Sequence, residues 1–462
     1  MKTVRSAHLI GVLAFGLAVG GVTVASGEPP TQLRAADAAG DNTGKLRVRS
    51  YALNPYNSRL DGQWQGIIVA SDSNCYFASS THAMDSGSAL FKYNPLTREL
   101  TCRQADMSRI DGNMGAPTEK IHTDMKEVDG WIYFASRWGL AAPGKKGEGG
   151  QVIGYELATG AFRNYGIVHP GHGIYAGLAA DSFRKCIWVI TVDGIDGTEE
   201  SRLYRIAIAT GEKTQIARFT PGGSCLFMVV DRRGDCWFTI RTHPGVIFRA
   251  RADQSGVDRF ENAFSDGDSG WDFAQLLPDG DRAVVLTGLT TLARDAIGKF
   301  RLFDMTRAGK PGAMTLIKAV GTAGLGNVVS GNRIYFIQRP DGRYWARRSG
   351  VGGGDGDLRL NSIELRADGR YELVNHGTIV DQDGRVPLRL HSLAVDEQGR
   401  AYMVGDWELL PGERASDKST DRVGRGVLNR GQFFAVADIK IVRQGDSAVP
   451  LETASAKQGA NE

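Results

Sequence analysis

Short apolar runs alternate with tight polar turns along the chain, and the order of features repeats at a spacing of roughly 50 residues, a period that predicts a propeller or solenoid. Each unit begins with an apolar strand that leads into an Asp-Gly type turn. An aromatic strand follows, then a loop and a third strand, and a short strand of alternating polarity closes the unit. Clear examples are 66–80 (GIIVASDSNCYFASS) with 89–103 (ALFKYNPLTRELTCR), 225–240 (CLFMVVDRRGDCWFTI) and 390–407 (LHSLAVDEQGRAYMVGDW). Seven units fill residues 44–445. The seventh lacks a fourth strand, and 44–52 (GKLRVRSYA) has the pattern of the closing strands GAFRNYG and GRYELVN.

The expectation is an all-β chain: a single seven-bladed β-propeller of four-stranded blades, its last blade closed by the N-terminal strand. Closure of that kind hides two sheet edges that would otherwise invite aggregation. A pair of β-sandwiches fits less well, because the order of strands inside the unit is itself repeated. An eighth, degenerate unit within 289–325 is the remaining variation on blade number.

Composition agrees. The 60 glycines make up about 13% of the chain, nearly twice the usual share, with no Gly-X-Y period, as many tight turns require. Five cysteines are an odd number, and Cys75, Cys186 and Cys236 each open a similar strand (CYFAS, CIWVI, CWFTI). That position predicts buried thiols that pack as small hydrophobes, with no disulfide framework.

The ends read differently. Lys2 and Arg5 precede an apolar run from Leu9 to Val24, and Ala25-Ser26-Gly27 leads into Pro29-Pro30. This is the layout of a secretory signal peptide over 1–27, followed by a linker over 28–43; 446–462 is a disordered polar tail. The expected location is periplasmic or extracellular. Without Lys2 and Arg5 the formal charge falls from +3 to +1. No basic cluster or further apolar span stands out, so neither nucleic acid nor, after cleavage, a membrane is an expected partner.

In a four-stranded propeller, the link from one blade to the next and the loop between its second and third strands lie on one face, around the channel mouth. Those places carry His82, His122, His169, His172, His243 and His391, whereas the opposite turns (Asp72-Ser73, Asp129-Gly130, Arg233-Gly234, Asp279-Gly280) carry none. His122, His172, Tyr175 and Arg137 form a candidate catalytic set. The guanidinium would neutralise a substrate carboxylate while imidazole and phenol act as base and acid, the logic of β-elimination on an acidic polysaccharide. Candidate binding residues are His82, Trp138, His243, Asp272, Arg339, Arg389, His391 and Trp407, with Trp138 and Trp407 as exposed stacking surfaces. The alternative reading is a non-catalytic propeller that holds a glycan, peptide or protein at the same mouth.

Clustered imidazoles also suit a divalent metal such as zinc or manganese, with His122, His172 and His391 as the residues to examine. The acidic run 265–272 lacks calcium-loop spacing and reads as an ordinary turn. The glycine-rich 351–357 lacks the Lys-Ser/Thr of a phosphate loop, and no G-x-S-x-G or C-x-x-C-H motif occurs.

The segment 230–239 (VDRRGDCWFT) resembles the repeat of the virginiamycin B lyase (streptogramin lyase) family, and more broadly of YVTN-like repeat proteins. Asp, a turn Gly and Trp-Phe-Thr recur there blade after blade. Here only the fourth unit keeps Trp237-Phe238-Thr239; others read Tyr-Phe-Ala, Ile-Trp-Val and Ala-Tyr-Met. The resemblance implies the propeller fold. It also implies an elimination at a His-containing, metal-assisted channel mouth, although no residue of this chain matches that family's catalytic positions.

Overall fold

The computed structural model describes residues 36–37, 44–111, 120–137, 148–193, 199–264, 268–288, 298–320, 323–338, 358–366, 371–420, 424 and 426–439. The signal-peptide and tail expectations, and most of the linker, lie outside them. Within the described residues the fold is seven four-stranded antiparallel blades. Blade three is typical: an inner strand Leu178–Asp181, then Cys186–Asp193, Ser201–Ala207 and an outer strand Lys213–Phe219. Among the described residues, helix is confined to one turn, Ser108–Asp111, and a 3-10 turn, Met305–Arg307. Among the described residues no helix is long and apolar enough to cross a membrane.

The expected closing strand divides at Val48. Arg49–Ala52 runs antiparallel to Arg430–Asp438 and completes blade seven. Lys45–Arg47 instead adds parallel to the outer strand of blade six, Tyr371–Val380, as does Ala36–Asp37. One segment therefore staples the last two blades and covers an outer edge that would otherwise stay open. The joint between blades seven and one is aromatic: Phe434 stacks on Phe77 at 4.3 Å, and Phe77 on Phe91 at 5.2 Å. Such stacks add about 0.5–1.5 kcal/mol each beyond the area they bury.

The turn on the far side of blades one, four and seven explains the repeat seen in the sequence. Asp231 accepts from the backbone N–H groups of Arg233 and Asp235 through one oxygen and from Trp237 Nε1 (3.0 Å) through the other. Asp396 does the same with Gln398, Arg400 and the Tyr402 hydroxyl (2.7 Å), and Asp72 holds Asn74 and the Tyr76 hydroxyl (2.8 Å). An Asp, a tight turn and an aromatic with a polar tip thus form one local lock, which folds the turn and seats the next strand. The Trp-Phe-Thr likeness of blade four rests on this structural device.

Cys75, Cys186 and Cys236 open their strands fully buried, and all five cysteines are unpaired. Burial raises the Cys75 and Cys236 thiols well above their ordinary value, so these are packing groups and not nucleophiles.

Candidate functional site

The mouth begins with an interruption. Blade one's inner strand is split into Leu60–Gly62 and Ile67–Val69, and the residues between loop towards the mouth. Gln65 sits at φ 53°, a left-handed conformation that costs a non-glycine residue energy. Trp64 folds back over Gly62, where an added Cβ would lie 2.5 Å from the indole, so any side chain at 62 would displace the ring.

Trp64 is the hub. His122 lies against it at 4.6 Å between ring centroids, His82 at 5.4 Å, and the Lys120 ammonium sits 4.4 Å above it. His122 also meets the ring of Tyr175 edge-on at 4.9 Å. The Arg137 and Arg241 guanidiniums lie 5.0 and 6.0 Å from the Tyr175 centroid. The main chain fixes this set: Arg137 N–H donates to the Lys120 carbonyl, pairing the segment before blade two's inner strand with the end of the next strand. Three of the four candidate catalytic residues, His122, Tyr175 and Arg137, are thereby brought together.

His122 is only 4% exposed, and its Nε2 has no hydrogen-bond partner. Burial, then Lys120 and Arg137, hold its pKa well below 6.5, so the ring is neutral at physiological pH. Gln63 is fully buried with both side-chain polar atoms unpartnered, and so is Gln65 Oε1. Orphaned buried polar atoms in such number are rare in folded proteins and mark a place where stability has been given up.

Below the mouth a cavity of about 340 Å³ runs along the ring axis, with Gln65, Asp124, Asn327 and His391 at one end and aliphatic inner-strand residues such as Val69, Leu276 and Val395 at the other. His391 is buried there and close enough to His122 to depress its protonation.

His172, the fourth candidate catalytic residue, belongs elsewhere. His172–Gly173 pairs with the end of strand Cys186–Asp193 and carries the ring into a rim cluster of blade three. There His172 meets His169 edge-on at 4.4 Å, Thr191 Oγ1 at 3.4 Å and Glu200 at 3.9 Å. The Tyr204 hydroxyl donates to Gln215 and accepts from His169 Nδ1 at 2.8 Å, while Glu200 is bound by Arg202 and Arg218. A His172–Tyr175 acid–base pair is therefore not formed. The three-residue spacing spans the turn into the inner strand, and the two side chains leave it towards different neighbours.

The binding candidates also divide. His82 Nδ1 lies 3.0 Å from both oxygens of Asp61 beside Trp64. Arg389 bonds Asp406 at 2.6 Å and the Asp61 carbonyl at 3.2 Å. Asp272 is buried 4.0 Å from Arg241. His243 lies apart, donating through Nε2 to the Pro221 carbonyl and resting on Phe248. Trp407 corrects the expectation of an exposed stacking surface: it is fully buried among Leu390, Phe433 and the rest of the blade-six and blade-seven core, because its strand runs on to Glu408. His376 is likewise internal, bonded to Ser362 at 2.8 Å in blade six. Trp138 and Arg339 lie outside the described residues.

Trp64, Lys120 and Arg241 complete the mouth. Trp64 stood at a signalled position, the start of an inner strand. Lys120, at the entry to blade two, and Arg241, in a loop between second and third strands, also stand at mouth positions of the repeat, and the structure adds the rings they cover. Among the described residues no three His, Cys, Asp or Glu side chains group as a metal site, and His122, His172 and His391 do not form a joint ligand set. Of the acidic run before blade five, 265–267 lie outside the described residues, and Asp268 binds Lys299 and Arg301.

The sequence matches no protein-family model and no curated protein. Among solved structures, streptogramin B lyase aligns over 84% of this chain and 97% of its own, at 12% identity and TM-score 0.50. An oligogalacturonate lyase in complex with manganese aligns over 85% and 96%, at 12% identity and TM-score 0.49. An oligogalacturonate lyase from Vibrio parahaemolyticus aligns over 84% and 97%, at 11% and 0.48. Likeness at such low identity concerns the fold alone. By its architecture the chain is a seven-bladed β-propeller, and a likeness of fold is what it shares with streptogramin B lyase.

Proposed function

We propose that the mouth binds a carboxylate-bearing saccharide and cleaves it by β-elimination, in a protein exported to the periplasm or beyond. The observation that carries this reading is the His122 ring: neutral, unpartnered at Nε2, and set between an indole, a phenol and two cationic side chains. Elimination beside a carboxylate needs a cation to neutralise that carboxylate and a neutral base to take the proton next to it. Arg137 and Arg241, stacked on Tyr175, supply the cation; His122 Nε2 supplies the base. Burial, then Lys120 and Arg137, lower the basicity of His122, and an incoming carboxylate offsets the part that comes from those two charges. Trp64 offers a surface for the apolar face of a sugar ring.

The test is turnover of uronic-acid glycans, followed by the ultraviolet absorbance of the unsaturated product. His122→Ala should lower kcat about a hundredfold or more, whereas His172→Ala should leave it within about twofold, the residue lying in the rim cluster. Loss of activity in both variants alike would remove the distinction on which the assignment rests. The burial of His122 favours a second reading, a propeller that holds such a glycan without cleaving it. Binding by the wild type with no unsaturated product would establish that reading and end the catalytic one.

A further inference from the structure

We infer that His82 is the general acid of this site and that Asp61 is its positioning residue, an assignment that rests on the elimination reading above. Two imidazoles flank Trp64, and their surroundings differ in kind. His122 is 4% exposed beside cations, with its Nε2 unpartnered. The His82 side chain is 26% exposed, and its Nδ1 faces both oxygens of Asp61 at 3.0 Å. An ionised carboxylate only accepts, so Nδ1 carries a hydrogen and the proton that His82 exchanges sits on Nε2.

Asp61 is itself held from several sides. It is 1% exposed, the buried Lys418 ammonium binds its carboxylate, and Arg389 binds its carbonyl. Lys418 comes from a hairpin of blade seven, Asp417–Lys418 paired with Gly426–Val427, that reaches across the ring joint. Arg59 fastens this hairpin to blade one through Asp417 at 2.6 Å and Asp85 at 3.0 Å, and the Thr420 hydroxyl adds a bond to Asp85 at 2.6 Å. A buried ion pair of this kind is a poor source of stability, which directs attention to what it orients. Tyr175, whose ring is the platform for two guanidiniums, is left with the carboxylate side of the site.

His122 Nε2 takes the proton beside the carboxylate, and the C–H electron pair becomes the new C=C bond. The bond from the β-carbon to the leaving oxygen breaks, and His82 Nε2–H protonates that oxygen. Exchange with water then returns a proton to His82 and removes one from His122. No oxidant or further reactant is needed.

Leaving-group dependence tests the assignment, because an alkoxide needs a proton and fluoride does not. His82→Gln should lose about a hundredfold in kcat on a uronate glycan, yet stay within a few-fold of wild type on a hexuronate whose β-leaving group is fluoride. Asp61→Asn should show the same pattern with a smaller loss, and His122→Ala should fail on both substrates. If His82→Gln and Asp61→Asn lose equally on both, or on neither, His82 is not the acid while the elimination reading stands. If the wild type acts on neither substrate, that reading falls and takes this assignment with it.

Discussion

The two faces of the ring use polar side chains in opposite ways. On the far face each key Asp is saturated by its own turn: Asp231, Asp396 and Asp72 spend their oxygens on N–H and O–H groups a few residues ahead. On the mouth face Gln63, Gln65 and His122 are buried with polar atoms that meet nothing. A polar group that finds its partner within its own turn is there to build the turn. One kept from water without a partner lowers stability, and a site that binds a ligand is the ordinary reason for such a cost. Residue type alone does not separate these two sets of side chains; satisfaction of their hydrogen bonds does.

The sharpest way to break this contrast is to unsaturate the far face. Asp231→Ala strands two backbone N–H groups and the indole N–H of the fully buried Trp237, and should destabilise the protein by about 4 kcal/mol with ligand affinity at the mouth unchanged. Chemical denaturation alongside glycan binding checks both halves. A mouth that weakens in proportion would mean that the faces are not independent.

His376 provides the intermediate case, a buried ring with a hydrogen-bond partner, Ser362, but with its charged form disfavoured by burial. Burial pushes its pKa down to about 4, against 6.5 in the unfolded chain. Between those values the unfolded state holds more protons, so stability rises with pH. The contribution is complete above about pH 6.5 and falls by about 3 kcal/mol as the pH drops towards 4. His376→Gln should flatten that stretch of the pH–stability curve; an unchanged slope would place the acid sensitivity elsewhere, His122 being the next group to examine.

The smallest effect comes from repairing the mouth. Gln63→Leu exchanges two orphaned polar atoms for apolar ones of similar volume and should stabilise the fold by about 1 kcal/mol. A loss of stability instead would show that Gln63 is satisfied in the folded protein and does not belong to the orphaned set.

Much of the ring was legible in the sequence because its signals are local. The Asp–turn–aromatic lock lies within a few residues of chain, so Asp231 to Trp237 announces a blade wherever it occurs. The gathering of histidines was legible only as far as topology reaches. Position in the repeat put His82, His122 and His172 on one face, but it could not show that Gly62 folds Trp64 between the first two or that the His172–Gly173 pairing draws the third away. Trp407 was misread for a related reason, since strand Arg400–Glu408 extends beyond the point where the repeat suggests a loop.

By itself the sequence determined the propeller and the order of strands within its blades, the burial of the cysteines that open strands, and the N-terminal closure, because each follows from short-range alternation and turn chemistry; the choice of seven blades over eight came from the sheet topology. Tertiary structure alone decided where that closure splits between two blades, and which polar side chains meet across the ring. Those contacts join residues hundreds of positions apart, as Lys418 does with Asp61. No local pattern records them; they exist only once the ring is shut.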